Sequence, residues 1–480
     1  MPPTPHSLSK SRYMDFLQCP KLFYFQIKLR DQIPPFDAAT QFRLDQGGEV
    51  GKAATGLFPG GERIEPFPLD AAVKRTQEAL KEGVEYVYEA SFEHQGVHCK
   101  VDILHNPGNG VLDLYEVKSS KEQKPEYIPD VAVQRWIIEG AGYRVGSTYL
   151  VLLNGDYVHP DGNLFKTEDV TEEAKQLLAG IPAHVKEMRK IAEVDQPPGL
   201  DIGPHCAKPH ECPLGEMCWS KIPELSIFNI PNYRKKWPLY EQGIIRLEDL
   251  PEIALNEAQE RFIRACRTGT PVIDKHAIRN VLNKLTEPIY FLDFETINWA
   301  IPRHNGMSPY AVLTFQWSMH ILENGNLTHK EFLWDRTEDP RKELLESLLE
   351  ALGDKGSIIV YSSFEKSRLN ELADYFPEYR NKVDRVINRL WDMLDIFRNY
   401  YTDARFCGSN SIKNVLPVLV PELNYKDLEI QEGGLASVEF ARMIEAEGEE
   451  KEKISRALLK YCERDTEAMV EILGKLREVA

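Results

Sequence analysis

Three side chains in the first quarter of the chain have types and spacing that could do chemistry: Asp102, Glu116 and Lys118. Two carboxylates can hold a hard divalent cation such as Mg²⁺ or Mn²⁺. Such a cation polarises a phosphate and makes a nearby water more acidic. A lysine beside them can orient or deprotonate that water, or offset the charge growing on phosphorus. The chemistry available is metal-assisted cleavage of a phosphodiester. A lone Glu-x-Lys is usually a solvated strand face, so the company it keeps carries the weight. Asp102 lies in the apolar stretch Cys99-Lys100-Val101-Asp102-Ile103-Leu104, Gln134 follows on an expected helix over 131–139, and Glu49 comes earlier, after Gln46-Gly47-Gly48. Glu89 is expected to be a paired surface residue.

A second set begins at Asp293-Phe294-Glu295, which closes an apolar run. On a strand, residues two apart share a face, so both carboxylates project together and Phe294 points the other way. Far downstream, the apolar stripe Ile454, Leu458, Tyr461, Met469 and Ile472 includes Asp465. An aspartate on a buried stripe needs a partner, and a metal ion would be one. Tyr461, one turn before it, could hold the attacking water. For the middle of this set, Glu365 follows the run 357–362, with Asp392 and Asp395 as rivals.

A third set is built of sulfur. Cys206, Cys212 and Cys218 recur every six residues in a Pro-, His- and Gly-rich stretch, and Cys19 lies far upstream in Leu17-Gln18-Cys19-Pro20. Four thiolates can hold Zn²⁺ or an iron–sulfur cluster, and the spacing is not that of a zinc-finger Cys-x₂-Cys pair. His205 and His210 flank the group and are expected at the surface. Cys99, Cys266, Cys407 and Cys462 do not cluster in sequence and read as small core residues.

These residues need strands and helices to bring them together. The stretches 86–92, 97–104 and 111–117 read as three strands, the last two joined by the turn Pro107-Gly108-Asn109-Gly110. That pairing would bring Asp102 beside Glu116. Strands are also expected over 289–295, 311–321 and 357–362, with a long amphipathic helix over 449–478. Alternating strands and helices predict an α/β class in both large regions. The expected organisation is 1–220, a helical linker over 221–284 whose Gly243-Ile244 turn is helix-hairpin-helix-like, and 285–480.

Length, 480 residues, allows two or three domains, and 42 % hydrophobic with 28 % charged residues describes a soluble globular protein. No apolar run is long enough to span a bilayer, and the start, MPPTPHSLSK, lacks the apolar stretch of a leader, so a cytoplasmic location is expected. A net charge of −17 argues against a passive coat on nucleic acid, although Arg234-Lys235-Lys236 and the scatter Lys10, Arg12, Lys21, Lys28 and Arg30 could hold phosphate. In a reducing compartment the eight cysteines favour metal binding over disulfides.

The order Glu49, Asp102, Glu116-Val117-Lys118, Gln134 resembles the RecB-type branch of the PD-(D/E)xK nucleases, which have a restriction-endonuclease-like mixed sheet. The resemblance implies that Glu49, Asp102 and Glu116 are metal ligands, that Lys118 is catalytic and that Gln134 positions substrate or water. Many relatives have His where Glu49 stands. One N-terminal cysteine with three C-terminal ones is similar to the iron–sulfur staple of some RecB-family enzymes. This implies a 4Fe-4S cluster on Cys19, Cys206, Cys212 and Cys218. Here both C-terminal gaps hold five residues where one is usually shorter, which keeps Zn²⁺ open. Tyr461-Cys462-Glu463-Arg464-Asp465 resembles the last motif of the DEDD exonucleases of the ribonuclease H-like fold. This implies Asp293, Glu295, Glu365 and Asp465 as ligands and Tyr461 as the water-holding group, with Glu365 in place of the usual Asp. Together the resemblances imply a dual nuclease acting on DNA, with RNA as a second substrate class. Two alternatives stand beside it: one active domain whose neighbour only grips nucleic acid, or a scaffold with protein partners in repair or phage defence.

Overall fold

A computed structural model describes residues 8–65 and 67–480. Residues 1–7, the greater part of the opening stretch on which the expectation about a leader rested, lie outside this range. The protein is of the α/β class and divides into two compact units, one of residues 1–221 with 299–311, the other of 222–298 with 312–480. Among the described residues, no helix is long and apolar enough to cross a membrane.

The first unit is built on a seven-stranded sheet: β1 (Leu8–Ser9), β2 (Glu62–Arg63), β3 (Tyr86–His94), β4 (Val97–His105), β5 (Val111–Lys118), β6 (Arg144–Leu153) and β7 (Phe165–Asp169). The order is β2-β3-β4-β5-β6-β7, with β1 paired to β4 outside this path. β3, β4 and β5 form an antiparallel meander, and β5 runs parallel to β6. Helices α1 (Lys10–Gln18), α2 (Pro20–Lys28), α3 (Ala38–Ala54), α4 (Leu69–Glu82) and α5 (Tyr127–Gly140) belong to this unit. α5 makes the crossover that a parallel β5–β6 pair requires. It lies over the face of β5 that carries Leu112, Leu114 and Glu116, and it buries Val131, Val133, Ile137 and Ile138 in the same core.

The second unit holds a five-stranded sheet of β9 (Ile289–Ile297), β10 (Leu313–Glu323), β11 (Asn326–Leu333), β12 (Ile358–Val360) and β13 (Leu390–Asp392), ordered β11-β10-β9-β12-β13. The first three strands are antiparallel, while β12 is parallel to β9 and β13. A small ribbon pairs β8 (Val272–Ile273) with β14 (Tyr401–Thr402). The C-terminal helix, Gly448–Val479, packs its buried stripe on β9 and β10. Gln316 of β10 donates to the carbonyl of Leu458 on that helix at 3.0 Å. The stretch expected as a helical linker belongs to this unit. It contains a short helix, Lys236–Glu241, the turn at Gly243 (φ 79°) and a 3-10 helix, Leu247–Asp249.

Candidate functional sites

In the first unit, alternation along β5 turns Glu116 inward with Leu112 and Leu114, leaving it 2 % exposed. The β4–β5 register runs from His105↔Asp113 to Ile103↔Tyr115. Beyond it the Asp102 carboxylate, instead of a backbone carbonyl, accepts from the Val117 amide at 2.8 Å. Lys118 donates to Glu116 Oε1 at 2.8 Å and also to Asp130. Gln134 donates to Glu116 Oε2 at 2.7 Å, and its own Oε1 is buried without a hydrogen-bond partner. Asp102, Glu116, Lys118 and Gln134 are therefore gathered on β4, β5 and α5. Glu49 is exposed on α3 and takes no part in these hydrogen bonds; the buried residues of that helix are Gln46, Val50 and Ala54. Gln46 accepts from the Ala300 amide at 2.5 Å.

Two further residues complete this cluster. Asp130 lies one turn before Gln134 on α5, and the shared-face spacing of four was the available signal. Lys10, the first residue of α1, donates to Glu116 Oε1 at 2.8 Å and lies 3.2 Å from Asp130 Oδ1. The pairing of Leu8 with Val97 and Ser9 with His98 delivers it there. Burial, then the neighbouring Glu116, pushes Asp102 up to about 7. Burial also pushes Glu116 upward, but Lys10 and Lys118 overcome it and hold Glu116 well below the usual carboxylate range. Both lysines stay charged: burial opposes this, and for each the carboxylates Glu116 and Asp130 outweigh it.

The second unit gathers acids with far less cationic compensation. Asp293 and Glu295 lie on β9 with Phe294 in the core on the other face. Glu365 sits in the first turn of the helix Phe364–Tyr375, directly after β12, and Asp465 comes from the C-terminal helix. All four line one cleft, together with Tyr461 and Lys413. The rivals are disposed differently: Asp392 caps the Leu394 amide and Asp395 is exposed. Burial, then Asp465, pushes both Asp293 and Glu295 well above the usual range. Burial and then Asp392 bring Glu365 to about 7, and its Oε2 is buried without a partner. Asp465 is raised to about 6 by burial, an effect moderated by Tyr425, Lys413 and Tyr461. Like charges crowded out of water ionise together only if a cation joins them.

Three neighbours were not anticipated as parts of this site. Tyr425 donates to Asp465 at 2.5 Å. Lys413 bonds the Gln431 carbonyl at 2.9 Å, with its ammonium 5.8 Å from the ring centres of both Tyr425 and Tyr461. Cys462, read from sequence as a core residue, is indeed buried, but its thiol lies 3.6 Å from Asp293 Oδ2. Ligand atoms of Asp293, Glu295 and Cys462 all lie within 4.8 Å of one another. Adjacency in sequence to Tyr461 and Asp465 was the available hint for Cys462; Tyr425 and Lys413 carried none.

Cys19, Cys206, Cys212 and Cys218 line a common pocket in the first unit, and none is in a disulfide. Cys19 is buried where α1 gives way to α2, and the amides of Leu22 and Lys21 point at its sulfur. Gln18 stitches the loop by donating to the carbonyls of His205 (3.0 Å) and His210 (2.7 Å). His205 lines the same pocket, whereas His210 is exposed.

Residues 290–411 match the family model described as Domain of unknown function (DUF2779). The chain is 27 % identical over 259 residues to "Uncharacterized protein MG366 homolog" of Mycoplasma pneumoniae (strain ATCC 29342 / M129 / Subtype 1), covering 49 % of this chain and 39 % of that protein. It is 29 % identical over 235 residues to "Uncharacterized protein MG366" of Mycoplasma genitalium (strain ATCC 33530 / DSM 19775 / NCTC 10195 / G37), covering 44 % and 35 %. The chain thus spans well under half the length of these curated relatives. Among solved structures it overlaps the protein SSO0001 (TM-score 0.20, 11 % identity, 45 % of this chain and 87 % of that one). It also overlaps an alkaline exonuclease (LHK-Exo) from Laribacter hongkongensis (TM-score 0.20, 16 % identity, 39 % and 93 %). Overlaps at such TM-scores fix neither fold nor activity.

Proposed function

We propose that the chain is a metal-dependent nuclease with two phosphodiester-cleaving sites, one of PD-(D/E)xK type in the first unit and one of DEDD type in the second. The observation that carries this reading is the cleft where Asp293, Glu295, Glu365 and Asp465 are buried together, each held above its usual range by burial and the first three also by neighbouring carboxylates. A donor set of oxygen atoms suits Mg²⁺ or Mn²⁺. The orphaned Oε2 of Glu365 is the kind of acceptor such an ion would satisfy. The mixed five-stranded sheet beneath it supports the ribonuclease H-like reading.

When bound, the ions would supply Lewis-acid polarisation of the phosphate. The chain's own residues do the rest. Tyr461 keeps its phenol proton, because burial and then Asp465 raise its pKa far above the ordinary value, so it can donate to and orient an incoming water. Lys413 lends positive charge at the cleft wall, where a substrate phosphate would lie. In the first unit Lys118 remains an ammonium held by Glu116 and Asp130, suited to offsetting phosphorane charge; Gln134 fixes the second oxygen of Glu116. The four cysteines are assigned to an iron–sulfur cluster, with Zn²⁺ as the alternative, tying the two ends of the first unit.

The test is a pair of full-length variants, Asp102→Asn and Asp293→Asn, assayed on labelled single- and double-stranded DNA and on RNA with Mg²⁺ or Mn²⁺. Each is expected to lose one activity and keep the other. Parent protein that leaves every substrate intact would end the proposal. A second reading, with cleavage in the second unit only, is favoured by the first site being already neutralised by lysine. It predicts that Asp293→Asn alone abolishes all cleavage.

A further inference from the structure

The first site presents an oddity that any metal reading must meet: Glu116 has no free oxygen. Its Oε1 accepts from Lys10 and Lys118, each at 2.8 Å, and its Oε2 accepts from Gln134 at 2.7 Å. Asp130 is bonded in the same way, with Lys10 at 3.2 Å on one oxygen and Lys118 on the other. Two ammonium groups therefore bridge two carboxylates in a closed ring.

The two lysines are not equivalent. Lys118 sits on β5 beside Glu116, has the Tyr127 ring 5.3 Å from its ammonium, and keeps Asp130 if Glu116 turns elsewhere. Lys10 sits at the first position of α1 and lines a pocket that also exposes Ser9, Ser11, Ser91, His98 and Asp102. That pocket, also walled by Phe67 and Leu69, gives its flexible stem space to move into.

We propose that Lys10 is the resident counter-ion of the first site, and that a divalent cation loads by displacing its ammonium from Glu116. This rests on the reading of Asp102 and Glu116 as ligands. Asp102, Glu116 and Asp130 are three acids facing two lysines. Adding a doubly charged ion to both lysines leaves an excess of positive charge in a buried space, and withdrawing Lys10 removes it. Lysine suits the exchange because its ammonium is a single compact charge on a flexible stem; an arginine fork would grip both carboxylates and resist displacement. The device offsets the charge of the acids and keeps the site folded before metal arrives, and it sets metal affinity through competition.

The experiment measures Mn²⁺ binding by electron paramagnetic resonance of the free ion, on the full-length chain carrying Asp293→Asn to silence the second site. Lys10→Met is expected to bind Mn²⁺ at least about tenfold more tightly than its parent, because a repelling charge close to the ion is gone. Lys10→Arg, which keeps charge and fold, is expected to bind severalfold more weakly. Lys10→Met binding no better than the parent, or Lys10→Arg binding as well as it, overturns the proposal; should Lys10→Met fail to fold, Lys10→Arg decides. Glu116→Gln separates the two levels. If it binds Mn²⁺ as the parent does, the metal reading of this site falls. If it loses binding while the Lys10 variants match the parent, only the role of Lys10 falls.

Discussion

Replacing Glu365 by glutamine should stabilise the metal-free protein at neutral pH, although it removes a proposed ligand. Glu365 is 3 % exposed, and burial with Asp392 and Asp465 brings it to about 7, against 4.5 for an unperturbed glutamate. A folded-state value above the unfolded one means the native state binds more protons, so stability is full below about pH 4.5 and falls as pH rises to about 7. At about 1.4 kcal/mol per unit, this amounts to about 3 kcal/mol of destabilisation at pH 7 and above. Glutamine carries no charge, and its amide can donate to neighbouring carboxylates. Urea unfolding in EDTA at pH 7.5 should therefore show one transition of Glu365→Gln shifted up by 1 to 3 kcal/mol, on the order of the linkage figure. The gap should close near pH 4.5. Mn²⁺ should stabilise the parent more than the variant. A variant less stable than its parent at pH 7.5 in EDTA, or one whose advantage persists unchanged at pH 4.5, would refute the reasoning that the cleft is held under carboxylate repulsion.

Other outcomes follow from the same geometry. His320, buried and bonded to Thr466 at 2.8 Å, is lowered to about 4 by burial and then by His329. A depressed histidine contributes stability above its unfolded value of about 6.5 that is lost as pH falls toward 4, about 3 kcal/mol in all. His320→Gln should lack that loss. Because it opposes the Glu365 effect over one pH window, each is measured as variant against parent. Asp130→Asn frees Lys118 from one of its two carboxylates. Cleavage by the first unit should fall on the order of tenfold to a hundredfold in kcat with KM little changed, and an equal loss in the second unit's activity would point to misfolding instead. Cys19→Ser should abolish the broad absorption near about 400 nm expected of anaerobically purified parent; a colourless parent with stoichiometric zinc would replace the cluster by Zn²⁺.

The legible parts of the sites were those written in short-range periodicity. Period-two alternation put Glu116 with Lys118 and Asp293 with Glu295, and the helical stripe singled out Asp465 because an acid there broke an apolar pattern. Asp130 obeys the same helical rule relative to Gln134 yet passed unnoticed, since its neighbours did not make it anomalous. Lys10 was unreadable for a different reason. Its arrival depends on the two-residue pairing of β1 with β4, too brief to leave a pattern. Tyr425 comes from a connecting segment, where side-chain direction follows from tertiary packing and not from any repeat, and Lys413 sits at the start of the short helix Ile412–Leu419, where nothing in its spacing marks it. Sheet order beyond the pairing of 97–104 with 111–117 was likewise silent in sequence: the insertion of β9 between β10 and β12 is a property of the assembled sheet.

Trp299–Ala311 lies between β9 and β10 in sequence but belongs to the first unit. Its Ala300 amide caps Gln46, and its Tyr310 hydroxyl reaches both the hydroxyl and the carbonyl of Ser119, the residue after Lys118. During synthesis, then, the amino-terminal fold waits for residue 311 to leave the ribosome before its last brace can dock. Cutting the gene after residue 221 would therefore yield a fragment without the segment that bonds Gln46 and Ser119.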